Sequence, residues 1–191
     1  MKSILKPSIW IVCWLACASC EKTGLCTDEK LSLTRSDLTA TPALQTNGYY
    51  YGAPITETGP GGRTYQKVLV LYQNGVLLSA GAAELPKLNE YVRSIERSTR
   101  TPGGNVPGRK SSWGICTLDG RSIQLNYWID GHCGRSTVLA TGDVLNDTTF
   151  QITQLEKHYP DSRGVQTEAV EQRFSFRRFA PKPDSTNRFI P

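Results

Sequence analysis

Two stretches of the 191-residue chain carry side chains dense enough in reactive groups to suggest catalysis. Asp130-Gly131-His132-Cys133 sets a carboxylate, an imidazole and a thiol in one turn, as metal ligands or as a thiol nucleophile beside a base. Zinc needs about four ligands in tetrahedral geometry. The second of the two histidines, His158, lies at the far end of another expected strand, so the stretch reads as a polar turn. Gly103-Gly104-Asn105-Val106-Pro107-Gly108-Arg109-Lys110-Ser111 has the outline of a phosphate loop. That loop requires lysine directly after the last glycine and a strand-to-helix setting; here Arg109 intervenes, and the expected order is helix, then strand. There is no Gly-x-Ser-x-Gly elbow, no His-Glu-x-x-His pair and no spaced carboxylate pair for acid–base work. The chain is therefore expected to hold no catalytic residues, no metal and no cofactor. An enzyme using Cys133 activated by His132 is the remaining alternative.

The N-terminus carries chemistry of another kind. Lys2 and Lys6 precede an apolar run from Ile9 to Ala18, too short to span a bilayer but suited to the h-region of a secretory signal. The run ends in Cys17-Ala18-Ser19-Cys20-Glu21, which resembles the lipobox of bacterial lipoproteins, with Cys17 where those usually carry leucine. The resemblance implies that residues 1–19 are removed and that Cys20 takes palmitate-type acyl chains. At about 0.8 kcal/mol per buried CH₂, two or three chains hold a protein on a membrane where one does not. The expected location is a bacterial envelope, lipid-anchored at the outer membrane on its periplasmic or its outer side. Cleavage near Ser19 without lipid is the alternative. Cys17 and Cys20 also read as C-x-x-C, but a redox pair needs a folded strand-to-helix setting. Lipidation of Cys20 leaves Cys26, Cys116 and Cys133, an odd set whose pairing stays open.

Removing Lys2 and Lys6 lowers the net charge from +5 to +3. So small and dispersed an excess is no electrostatic footprint for nucleic acid. The densest basic cluster, Arg97, Arg100, Arg109 and Lys110, reads as a solvated face. With 38% hydrophobic and 20% charged residues the chain is composed to fold.

Residues 20–46 hold Thr, Ser, Asp and Pro with little periodicity and are expected to be a flexible tether. Beyond it, residues 47–191 alternate strands and turns. Gly48–Gly52 predicts a first strand and residues 55–63 a loop. Asn74-Gly75 predicts a type I′ hairpin pairing Leu71 with Leu78 and Leu69 with Ala80, with both faces apolar. Leu85, Leu88, Tyr91, Val92 and Ile95 recur at helical spacing and predict one amphipathic helix from Pro86 to Ser98. A second hairpin centred on Asp119-Gly120 sets Cys116 opposite Ile123. Strands then follow at 136–144, 148–155 and 168–179, with a bulge near Arg177-Arg178 to accommodate Phe179, and a C-terminal tail. Eight short strands and one internal helix predict an all-β, antiparallel eight-stranded barrel, an open sandwich being the structural alternative.

The order of elements, with Gly48-Tyr49-Tyr50-Tyr51, Trp113-Gly114-Ile115, Leu145-Asn146-Asp147-Thr148-Thr149-Phe150 and Pro181-Lys182-Pro183-Asp184-Ser185-Thr186-Asn187, resembles the small lipocalin-like lipoproteins of Bacteroidetes. The resemblance runs from Asn47 to Pro191 and implies a lipocalin-like barrel; Tyr50 stands where ordinary lipocalins place tryptophan. On that reading Ile123, Leu125, Tyr127, Phe150, Ile152, Phe174 and Phe176 point inward. Tyr50, Leu125, Tyr127, Phe150, Phe174 and Phe176 are the candidate contacts for a small hydrophobic ligand. Tyr50 lies in the core or near a mouth, and Trp128, on the polar parity of its strand, is expected at an exposed edge. The same inward residues also serve a filled barrel. Such a protein would instead dock an envelope protein partner, through the Arg97–Lys110 loop or the Arg177-Arg178 side.

Overall fold

A computed structural model of the chain describes residues 27–38, 44–57, 62–99, 106–131, 134–161, 163–180 and 182–191. The expected signal segment, Cys20, Cys26, His132, Cys133, Arg100 and residues 103–105 lie outside the described residues, as does the side chain of Arg97.

Nine strands run in chain order: β1 (Gly48–Gly52), β2 (Ile55–Thr56), β3 (Thr64–Leu71), β4 (Val76–Glu84), β5 (Trp113–Asp119), β6 (Ser122–Ile129), β7 (Ser136–Asn146), β8 (Thr149–His158) and β9 (Val165–Arg178). Each pairs antiparallel with its neighbours, and β1 pairs with both β9 and β3, which closes the sheet. β1 and β2 are one stave broken at Ala53-Pro54, since proline has no N–H for the ladder. The result is a closed eight-stranded antiparallel barrel. Between β4 and β5 the chain makes a 3₁₀ turn (Leu85–Lys87), the single α-helix among the described residues, α1 (Leu88–Thr99), and a second 3₁₀ turn (Lys110–Ser112). Leu88, Val92 and Ile95 are buried as the periodicity requires; Leu85 is exposed.

Alternation on the strands makes two apolar layers. One fills the barrel interior with residues such as Tyr50, Leu71, Leu77, Cys116, Ile123, Leu125, Phe150 and Phe174. The other lies outside the wall, where Tyr49, Val70, Leu78, Trp113, Ile115 and Trp128 meet α1 and the two end segments of the described chain. The pair β3–β4 is thus covered on both faces. The stretch expected as a tether is, from Thr27 on, a strap along the barrel. Trp128 Nε1 donates to Glu29 O at 2.7 Å, Asn126 Oδ1 accepts from Ser32 N at 2.6 Å, and Leu38 N donates to Gln73 O at 2.8 Å. Trp128 and Asn126, on the parity expected to face solvent, are 5% and 1% exposed because the strap covers them. The expected C-terminal tail packs too: Ile190 is buried in the outer layer, and Lys182 Nζ donates to the carbonyls of Thr46 and Leu71.

Both hairpins depart from their expected registers, the first by one residue and the second by two. Tyr72 N donates to Val76 O and Gly75 N to Tyr72 O, a three-residue loop that pairs Leu71 with Leu77 and Leu69 with Ser79. Gly75 alone takes positive φ, +75°, as in a type I turn with a G1 bulge. A Cβ there would sit 2.1 Å from Ser36 O, so the strap crosses directly over this glycine. In the second hairpin Gly120, at φ +57°, occupies the first loop position; Asp119 pairs with Ser122 and Cys116 with Leu125. The expected bulge at Arg177-Arg178 is absent. Phe179 differs in parity because it faces the outer layer, edge-on to Tyr49 at 5.8 Å. The bulge in β9 lies higher, where Ile152 pairs with Gln172 and Gln154 with Ala169.

Candidate functional site

The two ends of the barrel are built differently. The β3–β4, β5–β6 and β7–β8 turns mark one end, and Leu38 and Leu44 join the interior cluster there. Just above them Tyr50 lies 5.1 Å from Phe150 and 5.4 Å from Phe176, and Phe150 stacks on Phe174 at 5.0 Å and 15°. Tyr50 OH donates to Gln45 O at 3.0 Å, so its polar end is satisfied by backbone, and burial pushes its pKa up. This end is filled.

Toward the other end the interior opens into a cavity of about 310 Å³, lined by Leu69, Leu125, Tyr127, Ile129, Ala140, Ile152, Leu155 and Phe174, with Lys67, Ser79, Gly81, Ala82 and Gln172. Its size falls at the lower end of small-molecule sites, and its walls are mostly apolar with few polar groups, as such sites are. Two local features produce it. At Gly81 (φ +85°) β4 bulges, so that Lys67 pairs with Ala82 and Leu69 with Ser79. β4 pairs with β5 only over Val76–Leu78, then leaves it. The small residues Ser79, Gly81 and Ala82 on β4 and Ala140 on β7 leave space that larger residues would occupy. A side cleft of about 350 Å³ beneath α1 shares Ser79, Gly81, Tyr127 and Ile129 with the cavity. It is roofed by Tyr91, whose hydroxyl donates to Ala80 O.

Of the six side chains expected to contact a ligand, Leu125, Tyr127 and Phe174 line the cavity. Tyr50, Phe150 and Phe176 pack in the filled end; Phe150 supports the cavity floor through its stack on Phe174. The polar groups Lys67, Gln172 and Ser79 were not legible as site residues, because alternation names a face and not a level along the barrel. Lys67 Nζ donates to Gln172 Oε1 at 3.1 Å, and burial, with Lys157 nearby, lowers its pKa. The Tyr127 hydroxyl has no hydrogen-bond partner among the described residues, and burial pushes its pKa up to about 12.

Elsewhere the reactive groups are buried, paired or at the surface. Cys116 is a free thiol, fully buried inside the barrel, its pKa raised by burial to about 12. Asp130 accepts from Ser111 Oγ at 2.9 Å and lies 3.3 Å from Arg135 Nε. His158 Nε2 lies 2.6 Å from Glu156 Oε1. Arg177 and Arg178 are exposed, Arg177 reaching Asn89 Oδ1 at 3.4 Å. The fold and the cavity together define an eight-stranded β-barrel closed at one end and hollow at the other. No protein-family model, curated protein or solved structure matches the chain.

Proposed function

We propose that this chain is a lipid-anchored, non-catalytic protein of the bacterial envelope whose lipocalin-like barrel binds one small, mainly apolar molecule. The observation that carries the reading is the cavity of about 310 Å³ in one half of the barrel, open toward the end where the interior is not plugged. A barrel serving only as a solid scaffold has no use for small residues at 79, 81, 82 and 140 lining its interior. Dispersion and burial against Phe174, Leu125 and Ile152 supply the affinity, and no cofactor takes part. The anchor is Cys20, proposed from the Cys17–Glu21 stretch, and it holds the barrel on a membrane, the outer membrane being the proposed one.

The test is native mass spectrometry of the full chain purified from an envelope extract, followed by denaturation. A discrete small molecule released on unfolding, with acyl mass retained on Cys20, is the expected result. A bare barrel that gains no mass from lipid extracts would overturn the ligand reading and turn the search to protein partners on the Arg177-Arg178 side. An unmodified Cys20 would overturn the anchor independently.

A further inference from the structure

Among the described residues, the cavity holds a cation without a counter-ion. Lys67 uses one of its three N–H donors on Gln172 Oε1 at 3.1 Å and meets no carboxylate at ion-pair distance among the described residues. Glu168, whose charge acts on Lys67, is itself held by Lys157 at 3.1 Å. An ammonium among Leu69, Leu155 and Phe174 is costly to desolvate unless something pairs with it. A methionine would fill the same length without that cost. One cation also balances one negative charge, which favours a monoanion over a doubly charged phosphate ester.

Resting on the ligand-binding reading above, we propose that the ligand is a monocarboxylate amphiphile, its carboxylate paired with Lys67 and its apolar body lying on Phe174, Leu125 and Tyr127. At roughly 30 Å³ per water-sized group, a cavity of about 310 Å³ takes a body of roughly ten heavy atoms. The test is calorimetry on the full chain in lipid nanodiscs, with empty discs as blank and sodium octanoate, 1-octanol and octylamine as probes. Octanoate should bind about tenfold or more tighter than octanol, the range of a hydrogen-bonded charge pair, and octylamine should not bind. Lys67→Met should erase the preference and leave octanol binding intact. Gln172→Glu, which supplies an internal carboxylate, should do the same without altering Lys67. Equal binding of octanoate and octanol, or a preference that survives both variants, overturns the proposal alone. Binding of neither overturns the cavity reading with it.

A separate observation concerns how the barrel sits on its membrane. The strap starts at the open end: Glu29 N donates to Arg135 O at 2.8 Å, and Asp28 bonds Lys110 and Arg135, where β7 begins. Residues 21–26 lie between Cys20 and Thr27, so the anchor lies within about 25 Å of that end even at full extension. Of the four exposed large hydrophobics among the described residues, Ile55, Leu85 and Val165 belong to the same end and Leu145 to the other. Several charges beside them are mutually paired: Arg63 and Lys87 with Glu84, Lys157 with Glu168. Resting on the anchor at Cys20, the geometry points to a barrel whose open end lies against the bilayer, so that the ligand loads from the membrane. Val165→Cys and Leu145→Cys, each in a full chain with Cys26→Ser and Cys133→Ser, would carry a thiol fluorophore in vesicles containing acyl-chain quencher lipid. Loss of fluorescence at 165 and none at 145, with acyl mass on Cys20, is expected. Equal signals with the acyl mass present overturn the orientation alone; absence of the acyl mass overturns the anchor and the orientation together.

Discussion

Replacing Ala140 by leucine separates a hollow barrel from a solid one. Ala140 is 2% exposed, pairs with Leu125 and Leu155, and faces the cavity. Leucine adds three carbons, which at about 0.8 kcal/mol per buried CH₂ contribute up to about 2.4 kcal/mol where they fill space without strain. At roughly 30 Å³ per group they take a little under a third of the void. Val144 lies on the same strand and face, 0% exposed, in the filled end. There Val144→Leu adds one methylene to a packed core, where overpacking costs about 1–3 kcal/mol. The two substitutions, four residues apart, should therefore move stability in opposite directions. Urea unfolding at constant m-value reads this directly as a raised midpoint for Ala140→Leu and a lowered one for Val144→Leu. Ala140→Leu should also lose octanol binding, since its side chain occupies the ligand's place. A destabilised Ala140→Leu beside a neutral Val144→Leu would refute the assignment of which half is hollow.

Three further outcomes follow from the strap and its contacts. Gly75→Ala meets both a positive φ and a Cβ 2.1 Å from Ser36 O. It should cost more than the ~1–2 kcal/mol of left-handed strain alone and speed hydrogen exchange at the Leu38 amide; Gly120→Ala, with nothing within 4 Å, should cost only the strain. Trp128→Phe removes the Nε1 bond to Glu29 O, a loss of about 1 kcal/mol, and should make the strap easier to cleave by protease at unchanged barrel circular dichroism. Asp28 is held at a pKa of about 2, below its ordinary 3.8, by hydrogen bonds from Lys110 and then Arg135, against the opposing effect of burial. Its folded-state pKa is depressed, so its contribution is present above pH 3.8 and is lost as pH falls toward about 2. The unfolding midpoint should fall less steeply over that window in Asp28→Asn than in the parent. A residual slope from Asp161, similarly held by Arg163, should remain in both.

Much of the fold was written in local patterns. Period-two alternation on β6 and β8 named the inward face correctly because a closed barrel gives each strand one interior side. The 3.6-residue spacing of Leu88, Val92 and Ile95 located α1 because only one face of that helix meets the wall. Two misreadings share a cause: something distant covers a place that looks exposed. Asn126 and Trp128 alternate as surface residues should, yet the strap from Thr27 buries both and satisfies their polar atoms. Asn74-Gly75 carries the local signal of a type I′ turn, but Asn74 keeps an ordinary φ while its amide spends its bonds on Val76 N and Ser185 Oγ. Local turn chemistry permits both loops, and contacts more than thirty residues away select one.

The same distinction explains why half of the candidate site was found and half was not. Tyr50, Leu125, Tyr127, Phe150, Phe174 and Phe176 all face inward, which alternation can tell. Which of them meet a ligand depends on height along the barrel axis, and height follows from the register of non-adjacent pairings. Phe150 pairs with Phe174 and Tyr50 with Phe176, which gathers those rings toward the end plugged by Leu38 and Leu44. The bulges at Gly81 and in β9 lie nearer the other end, where Lys67 and Gln172 meet. Lys67 shares the inward parity of Leu69, and Gln172 that of Phe174, but nothing within either strand says that the two meet. β3 and β9 both pair with β1, which ends at Gly52, and there Lys67 Nζ reaches Gln172 Oε1. The polar head of the site is thus a product of pairing between strands far apart in sequence, and its apolar walls follow from alternation within each strand. For that reason the Lys67→Met and Gln172→Glu variants probe the least sequence-legible part of the structure, and the binding preference they test depends on it most.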